Sequence, residues 1–486
     1  MLVTSTEKEV RMLIDGKLVA SEADEWLESV NPADEQTIGR VPAATPADVD
    51  RAVVAAEKAQ PGWAAIEPAA RGKLLRKLAS ALRERGDEVL RIEVLDTGNT
   101  IAKMKGDVEG AARALEFYAG LGTEIKGESI PASADHLHIT VREPYGVVGR
   151  IVPFNHPIKF AASAIAAPLM AGNTVVFKPP EQSPLSSGVL GEICRDLLPA
   201  GVVNIVTGNG MPTGDALVRH PRVKRIAFTG SVPTGRAIQR AAAEAGVKHV
   251  TLELGGKNPL IAFPDTDPEK IAEAAIAGMN FAWQGQSCGS TSRLLLHESL
   301  YGPVLKRVVE RVAELRLGDP LDMQSQMGPI NSKRHYERVC ALVESGIAEG
   351  ARLMIGGKRP AGNRFKRGYW LEPTVFAEVK PSMRIAREEI FGPVLSVFSW
   401  RDEKEAIDIA NSTEYGLTAS IWTHDLKTAL RAARAVKSGY VWINGTSAHF
   451  AGTPFGGFKN SGLGREEGID ELLSYTEVKT IHIRLH

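Results

Sequence analysis

The chain of 486 residues carries 58 Lys and Arg against 58 Asp and Glu, with a hydrophobic fraction of 43% and a charged fraction of 24%. That length exceeds what one hydrophobic core usually serves and predicts two or more domains, while the charge balance removes any global electrostatic case for nucleic acid or an anionic membrane surface. The three cysteines, Cys194, Cys288 and Cys340, form no Cys-x-x-Cys pair; they exclude a disulfide framework, argue against a structural zinc site and fit a reducing compartment.

Residues 1–10 are polar, with Glu7, Lys8 and Glu9 where a secretory signal needs an unbroken apolar core. No apolar run approaches the roughly 18 residues of a membrane span. A soluble, cytoplasmic protein acting on small molecules is expected. Residues 11–19 place apolar residues on either side of Asp15-Gly16, a strong hairpin signal. From residue 45 the spacing becomes helical: 47–59, 71–85, 87–97 and 107–120 repeat apolar residues at three and four positions with charges between, as surface helices do.

Residues 136–143 then alternate strictly, with Leu137, Ile139 and Val141 on one face, and residues 480–486 alternate again at the chain's end. Two such strands either add to a main sheet or form a small sheet that another subunit extends. Between 146 and 263, short apolar strands at 147–152, 174–177, 202–207, 225–228 and 250–254 alternate with helical stretches at 161–170, 186–197 and 235–245. That alternation predicts a parallel, doubly wound sheet with ligands beyond the carboxyl ends of its strands. A second α/β unit is expected from 259 to 444, with strands at 294–297, 352–355, 370–375, 394–400, 419–423 and 440–443. Residues 253–257 lie at the seam, where substrates commonly bind.

The stretch Gly285-Gln286-Ser287-Cys288 follows a helix-like run over 268–283 and precedes the apolar Leu294-Leu295-Leu296. A thiol at such a junction can face a cleft and have its pKa lowered by a neighbouring base or positive end. Glu253 and Asn155 stand in similarly unusual settings, and nucleophile, base and oxyanion donor are the parts that acyl chemistry needs. Each has a plainer reading: a packed thiol, a structural carboxylate at a strand end, a turn residue before Pro157. The glycine-bearing turn Phe228-Thr229-Gly230-Ser231 through Gly235 either approaches a pyrophosphate at a helix N-terminus or is an ordinary turn. Lys178 and Glu181, just past a strand, either bind a ribose or are solvated loop charges. Cys194 and Cys340 lie in helical stretches with apolar neighbours and read as structural.

Taken together, these stretches resemble the NAD(P)-dependent aldehyde dehydrogenase superfamily over nearly the whole chain. The resemblance rests on Pro153-Phe154-Asn155-His156-Pro157, Lys178-Pro179-Pro180-Glu181, Phe228-Thr229-Gly230-Ser231, Leu252-Glu253-Leu254-Gly255-Gly256-Lys257, Gly285-Gln286-Ser287-Cys288, Glu388-Glu389-Ile390-Phe391-Gly392-Pro393 and Pro454-Phe455-Gly456-Gly457-Phe458-Lys459, in the family's order and approximate spacing. It implies an NAD-binding domain over 1–122 and 145–255, a catalytic domain over 256–466, and oligomerisation segments at 123–144 and 467–486. The fold class expected is therefore α/β: a doubly wound parallel-sheet NAD-binding domain, a second α/β catalytic domain and a small β oligomerisation sheet, in a homodimer or homotetramer.

The same resemblance assigns roles. Cys288 is the expected nucleophile, Asn155 with the Cys288 N–H the oxyanion hole, and Glu253 the base that activates water to release the acid. For the cofactor NAD it implies Lys178, Glu181, Gly230, Ser231 and Gly235, with Glu389 and Phe391 at the nicotinamide end. Phe154 departs from the family's more usual tryptophan, keeping an aromatic wall without an indole N–H. The matched substrate positions are His156, Phe160, Ser163, Trp283, Ser287, Gly289, His449 and Phe455. None is an arginine, which favours neutral aromatic or medium aliphatic aldehydes over carboxylate-bearing ones. No metal is expected. The competing readings are a CoA-acylating or semialdehyde dehydrogenase and a non-catalytic binding protein on the same fold.

Overall fold

The computed structural model describes residues 8–485; residues 1–7 and His486, which touch the polar start and the closing strand expected above, lie outside them. The Asp15-Gly16 signal is a hairpin. Met12–Ile14 pairs antiparallel with Lys17–Val19, and both turn residues take positive φ, 51° and 70°. This hairpin forms one edge of an eight-stranded sheet.

Five parallel strands make the centre of that sheet, in the spatial order His249–Glu253, Val223–Thr229, Val147–Ile151, Thr174–Lys178, Val203–Ile205. The chain moves outward from Val147–Ile151 in one direction, then returns to place Val223–Thr229 on its other side. A crevice therefore opens between the carboxyl ends of these two strands, where open α/β sheets bind ligands. The helices Pro46–Ala64, Pro68–Glu84, Ile101–Gly120 and Pro157–Met170 bury their apolar residues against the sheet and one another. Pro157–Met170 is nearly all apolar and nearly all buried, as its Ala-rich sequence requires.

The second sheet has seven strands in the order Arg352–Ile355, Thr374–Ala377, Val394–Trp400, Arg293–His297, Pro259–Ala262, Thr418–Trp422, Tyr440–Ile443, all parallel except the first. Two expectations need correction here. The strand expected from 370 begins at Thr374, because Pro373 has no N–H for a ladder and Trp370 is instead tied by its indole N–H to the Ala33 carbonyl at 2.9 Å. The helical run toward Trp283 stops at Met279, where Asn280 turns left-handed at φ 56° and a short 3-10 turn over Phe281–Trp283 follows.

The two alternating segments join neither large sheet. His136–Pro144 pairs antiparallel with Thr476–Arg484 along nine residues, with Ser129–Ile130 on its other side, in a separate three-stranded sheet. Thr476–Arg484 is its open edge. Val478 and Ile481 on that edge are exposed. Among the described residues no helix is long and apolar enough to cross a membrane.

Candidate active site

A cavity of about 600 Å³ fills the crevice at the carboxyl ends of Val147–Ile151 and Val223–Thr229 and runs to the seam between the two large sheets. Cys288, Glu253 and Asn155, distant in sequence, all line it. Each is delivered by a different element. Asn155 lies on the turn between the central strand and the Pro157–Met170 helix, Glu253 ends the strand His249–Glu253, and Cys288 lies on the loop before Arg293–His297.

The cysteine loop is fixed from three sides. Gln284 and Gly285 take positive φ, 52° and 66°, and a Cβ on Gly285 would overlap the Gly392 carbonyl. The Asn155 amide Nδ2 donates to the Gln286 carbonyl at 2.9 Å, while Gln286 Oε1 accepts from the Asn331 N–H at 3.0 Å. Asn258 Nδ2 donates to the Cys288 and Ser290 carbonyls at 2.7 and 2.9 Å, and its Oδ1 accepts from the Thr418 N–H at 3.0 Å. Asn258 directly follows the Gly255-Gly256-Lys257 stretch, a signal that the sequence reading passed over.

The thiol itself departs from expectation. A lowered pKa was anticipated at the junction, yet burial first, and then the Glu389 and Glu253 carboxylates, push Cys288 up to about 12. The physical reason is its packing against Leu417, Tyr440, Trp442 and Phe455. The site holds the thiol protonated until positive charge or a base arrives. Glu253 is equally far from its solution behaviour. Both carboxyl oxygens are buried without a hydrogen-bond partner among the described residues, and burial, followed by Glu466, raises its pKa well above the carboxylate range. A carboxyl whose pKa is raised by burial and that faces a cavity is suited to proton transfer.

The cavity wall away from Cys288 carries the features of a dinucleotide site. Ser231 caps the Val232–Ala245 helix, its Oγ accepting from the Thr234 N–H at 3.4 Å, and Gly230, Ser231 and Thr234 line the cavity at that positive helix end. A Cβ on Gly230 would overlap the Phe228 ring. Gly235 stands behind the lining: its N–H donates to the Ser231 carbonyl at 2.9 Å, and an added Cβ would crowd Leu254. Lys178 and Glu181 line the far end. The buried Lys178 ammonium donates to the Pro179 carbonyl at 2.8 Å and lies 3.5 Å from the half-buried Glu181 carboxylate. Burial lowers the Lys178 pKa against the pull of Glu181.

At the other end Glu389 accepts from the Gly256 N–H at 2.9 Å, packed so closely on Gly255 that a Cβ there would overlap its carboxylate. Phe391, at φ 54°, and Phe154 meet edge to face at 5.8 Å, with His335 against both. His335 donates through Nε2 to the Phe391 carbonyl at 2.6 Å, and burial lowers its pKa to about 4, so it sits there neutral. Phe154 thus belongs to an aromatic wall with Phe391 and His335, without an indole N–H. His335 and Arg338, both lining the cavity, were not legible in the sequence; they come from one face of the Lys333–Ala348 helix.

Of the expected substrate residues only Phe160 lines this cavity. The others form two aromatic groups. His156 lies against Trp283 and Phe160, with ring centroids 4.6 and 5.9 Å away. His449 packs on Phe455 at 4.7 Å and on Tyr440 at 6.0 Å, and its Nδ1 lies 3.0 Å from Glu467. Ser287 and Gly289 flank the cysteine, with Gly289 close to both the Ser287 hydroxyl and Trp442. Ser163 is turned back on its own helix, donating to the Lys159 or Phe160 carbonyl at 3.1 and 3.2 Å. Cys194 is buried and Cys340 half-buried, each on a helix.

Comparison with known proteins agrees with this geometry. The family model described as the aldehyde dehydrogenase family matches residues 18–481. The aldehyde dehydrogenase tropH of Talaromyces stipitatus is 47% identical over 481 residues, covering 98% of this chain and 93% of that protein. The solved NAD-dependent aldehyde dehydrogenase from Sinorhizobium meliloti superposes with a TM-score of 0.96 at 38% identity, over 99% of this chain and 95% of that one. The NAD+ complex of the Bacillus cereus enzyme gives 0.95 at 39% identity, over 99% and 97%. With a thiol, a carboxyl and an amide brought to one cavity on the same frame, the chain belongs to the aldehyde dehydrogenase family.

Proposed function

We propose that the protein oxidises an aldehyde to a carboxylic acid with NAD and water, through a covalent bond to Cys288. The observation that carries this reading is that Cys288, Glu253 and Asn155 line one cavity with the Gly230–Ser231 turn and Glu389. The residues suit a dinucleotide: a helix N-terminus with the Ser231 cap hydroxyl beside it for the pyrophosphate, Glu181 and Lys178 at one end for the adenosine ribose, Glu389 and the Phe154 and Phe391 rings at the other. Bound there, NAD supplies the acceptor for the aldehyde's hydride. The Cys288 thiol gives up its proton to water in the cavity, its sulfur adds to the carbonyl carbon, and the Asn155 amide hydrogen not used on Gln286, together with the Cys288 N–H, stabilises the resulting oxyanion. After oxidation the acyl group remains on sulfur as a thioester. Glu253 takes a proton from water, the water oxygen attacks the acyl carbon, and the acid leaves as the sulfur is freed.

The aromatic groups around His156 and His449 support neutral aromatic or medium aliphatic aldehydes, and the presence of Glu253 supports water over CoA as the acyl acceptor. The open edge of Thr476–Arg484 supports a homodimer or homotetramer in which another subunit extends the small sheet. With the NAD-binding and catalytic units on either side of residues 253–257, this is the three-part subunit the sequence implies, acting in the cytoplasm. An aldehyde panel with NAD, read as kcat/KM from NADH absorbance, tests the function. Turnover of benzaldehyde or hexanal above that of succinic semialdehyde is expected; no NADH with any aldehyde would refute it.

A further inference from the structure

His156 heads the Pro157–Met170 helix, one residue beyond Asn155, and its Nδ1 lies 2.7 Å from the Asp107 carboxylate on the facing Ile101–Gly120 helix. A carboxylate oxygen only accepts, so Nδ1 carries the hydrogen, and in the uncharged form of the ring Nε2 is the acceptor. Among the described residues Nε2 has no hydrogen-bond partner, although the side chain is only 14% exposed. The ring is held besides by Trp283 and by Phe160, which lines the cavity that Cys288 faces. Both the tautomer and the ring plane are therefore set before a ligand arrives.

The same two helices bring a cation alongside. Lys159, three residues after His156, lays its alkyl chain along Gly110, three residues after Asp107, and its ammonium makes no ion pair among the described residues. Its charge is felt at Cys288, where it lowers the thiol pKa against the larger effect of burial. Across the cysteine stand Tyr440, Trp442 and Phe455. A flat ring bound against Phe160 and Trp283, with its aldehyde carbon at sulfur, would have the His156 imidazole among its polar neighbours.

We propose that the Asp107–His156 pair determines substrate choice by accepting, at His156 Nε2, a hydrogen bond from a hydroxyl group on the ring of an aromatic aldehyde. This rests on the aldehyde-oxidising reading above. A substrate without a donor leaves a desolvated, unpaired nitrogen, the situation in which buried polar sites discriminate most. Asp107 acts as the positioning residue, since it touches only the histidine.

The test compares kcat/KM, at a pH below the pKa of both phenols, for meta- and para-hydroxybenzaldehyde with their methoxy counterparts, which then have similar electronic effects on the carbonyl but no hydrogen to donate, and with benzaldehyde. The wild type should favour the hydroxy over the methoxy substrates by about tenfold or more. His156→Phe, which keeps an aromatic wall, should bring that ratio close to one. Asp107→Asn should lower it in part, through KM more than kcat, and carries the test alone if His156→Phe does not fold. A wild-type ratio near one, or a ratio unmoved by both variants, would overturn the proposal while leaving aldehyde oxidation intact. Carboxybenzaldehyde outrunning the hydroxy substrates would also overturn it and point to Lys159. A wild type that oxidises none of these aldehydes would sink the underlying reading as well.

Discussion

The side-chain amide of Asn155 donates to the backbone carbonyl of Gln286 at 2.9 Å, which joins the turn beyond the first sheet's central strand to the loop carrying Cys288. One residue thus fixes the approach of the Cys288 loop and keeps a second amide hydrogen, which the proposed mechanism gives to the substrate oxygen. Its own backbone carbonyl accepts from Asn99 Nδ2 at 2.9 Å, so the amide is placed by a neighbour that the substrate does not touch.

Asn155→Ala should therefore lower kcat by about 100- to 1000-fold, the usual cost of one oxyanion donor. NAD binding, measured by fluorescence quenching, should change little by comparison. A kcat within a few-fold of wild type would remove Asn155 from the oxyanion hole.

The protonated state of Cys288 in the free enzyme predicts its reactivity. With the thiol pushed up to about 12, the thiolate fraction rises roughly tenfold for each pH unit below that value. Alkylation by iodoacetamide, followed by mass spectrometry of the Cys288 peptide against Cys194 and Cys340, should climb across the range from about pH 7 to pH 10 without levelling. A plateau near neutrality would mean that the free enzyme already holds a thiolate.

How far these features were legible in the sequence depends on how local their causes are. The Asp15-Gly16 hairpin, the doubly wound alternation and the Ser231 turn are written in adjacent residues and are found where expected. The strands Trp26–Val30 and Thr37–Pro42 escaped because Glu28, Ser29, Gly39 and Arg40 break their apolar alternation, and the pairing that makes them strands is with each other and with Lys8–Glu9. Asn280 carried a stop signal that the apolar run to Trp283 obscured. The burial of Cys288 and the Asp107–His156 contact were not legible at all. The first depends on Tyr440, Trp442 and Phe455 folding back over the loop, and the second joins two residues 49 apart in sequence. The motifs singled out residues that the fold brings to one cavity; the electrostatic state of those residues came only from the packing around them.

Glu253 gives a prediction that separates chemistry from stability. If it activates water for thioester hydrolysis, Glu253→Gln should still release NADH, at most one per active site, and then stall. Its raised pKa also has a sign. The native state keeps a proton that the unfolded chain releases above its ordinary value of 4.5, so stability falls as pH rises from there through the native value. The neutral amide removes that penalty. Glu253→Gln should melt higher than wild type at neutral pH, with the difference shrinking as pH falls below 4.5. A variant that turns over normally refutes the catalytic role; one that melts lower at neutral pH refutes the account of its pKa.

The last prediction concerns the choice between NAD and NADP, and it rests on Glu181. Its carboxylate lies 3.5 Å from the Lys178 ammonium at the cavity end beyond Thr174–Lys178, with 37% of the side chain exposed. A carboxylate there can accept from both ribose hydroxyls, whereas a 2′-phosphate brings about two negative charges into the same partly desolvated place. Lys178 works in the opposite direction, but its ammonium is buried, donates to the Pro179 carbonyl, and has its pKa lowered by burial, so little of its charge is free to turn toward a phosphate. Repulsion should therefore win without excluding NADP, because Glu181 is exposed enough to swing away. The wild type should favour NAD in kcat/KM, and Glu181→Ser should lose part of that ratio through better use of NADP, with its use of NAD weakened by the lost ribose contacts. A wild type that prefers NADP, or a ratio unmoved by the substitution, would show that cofactor choice is made at another residue of the cavity.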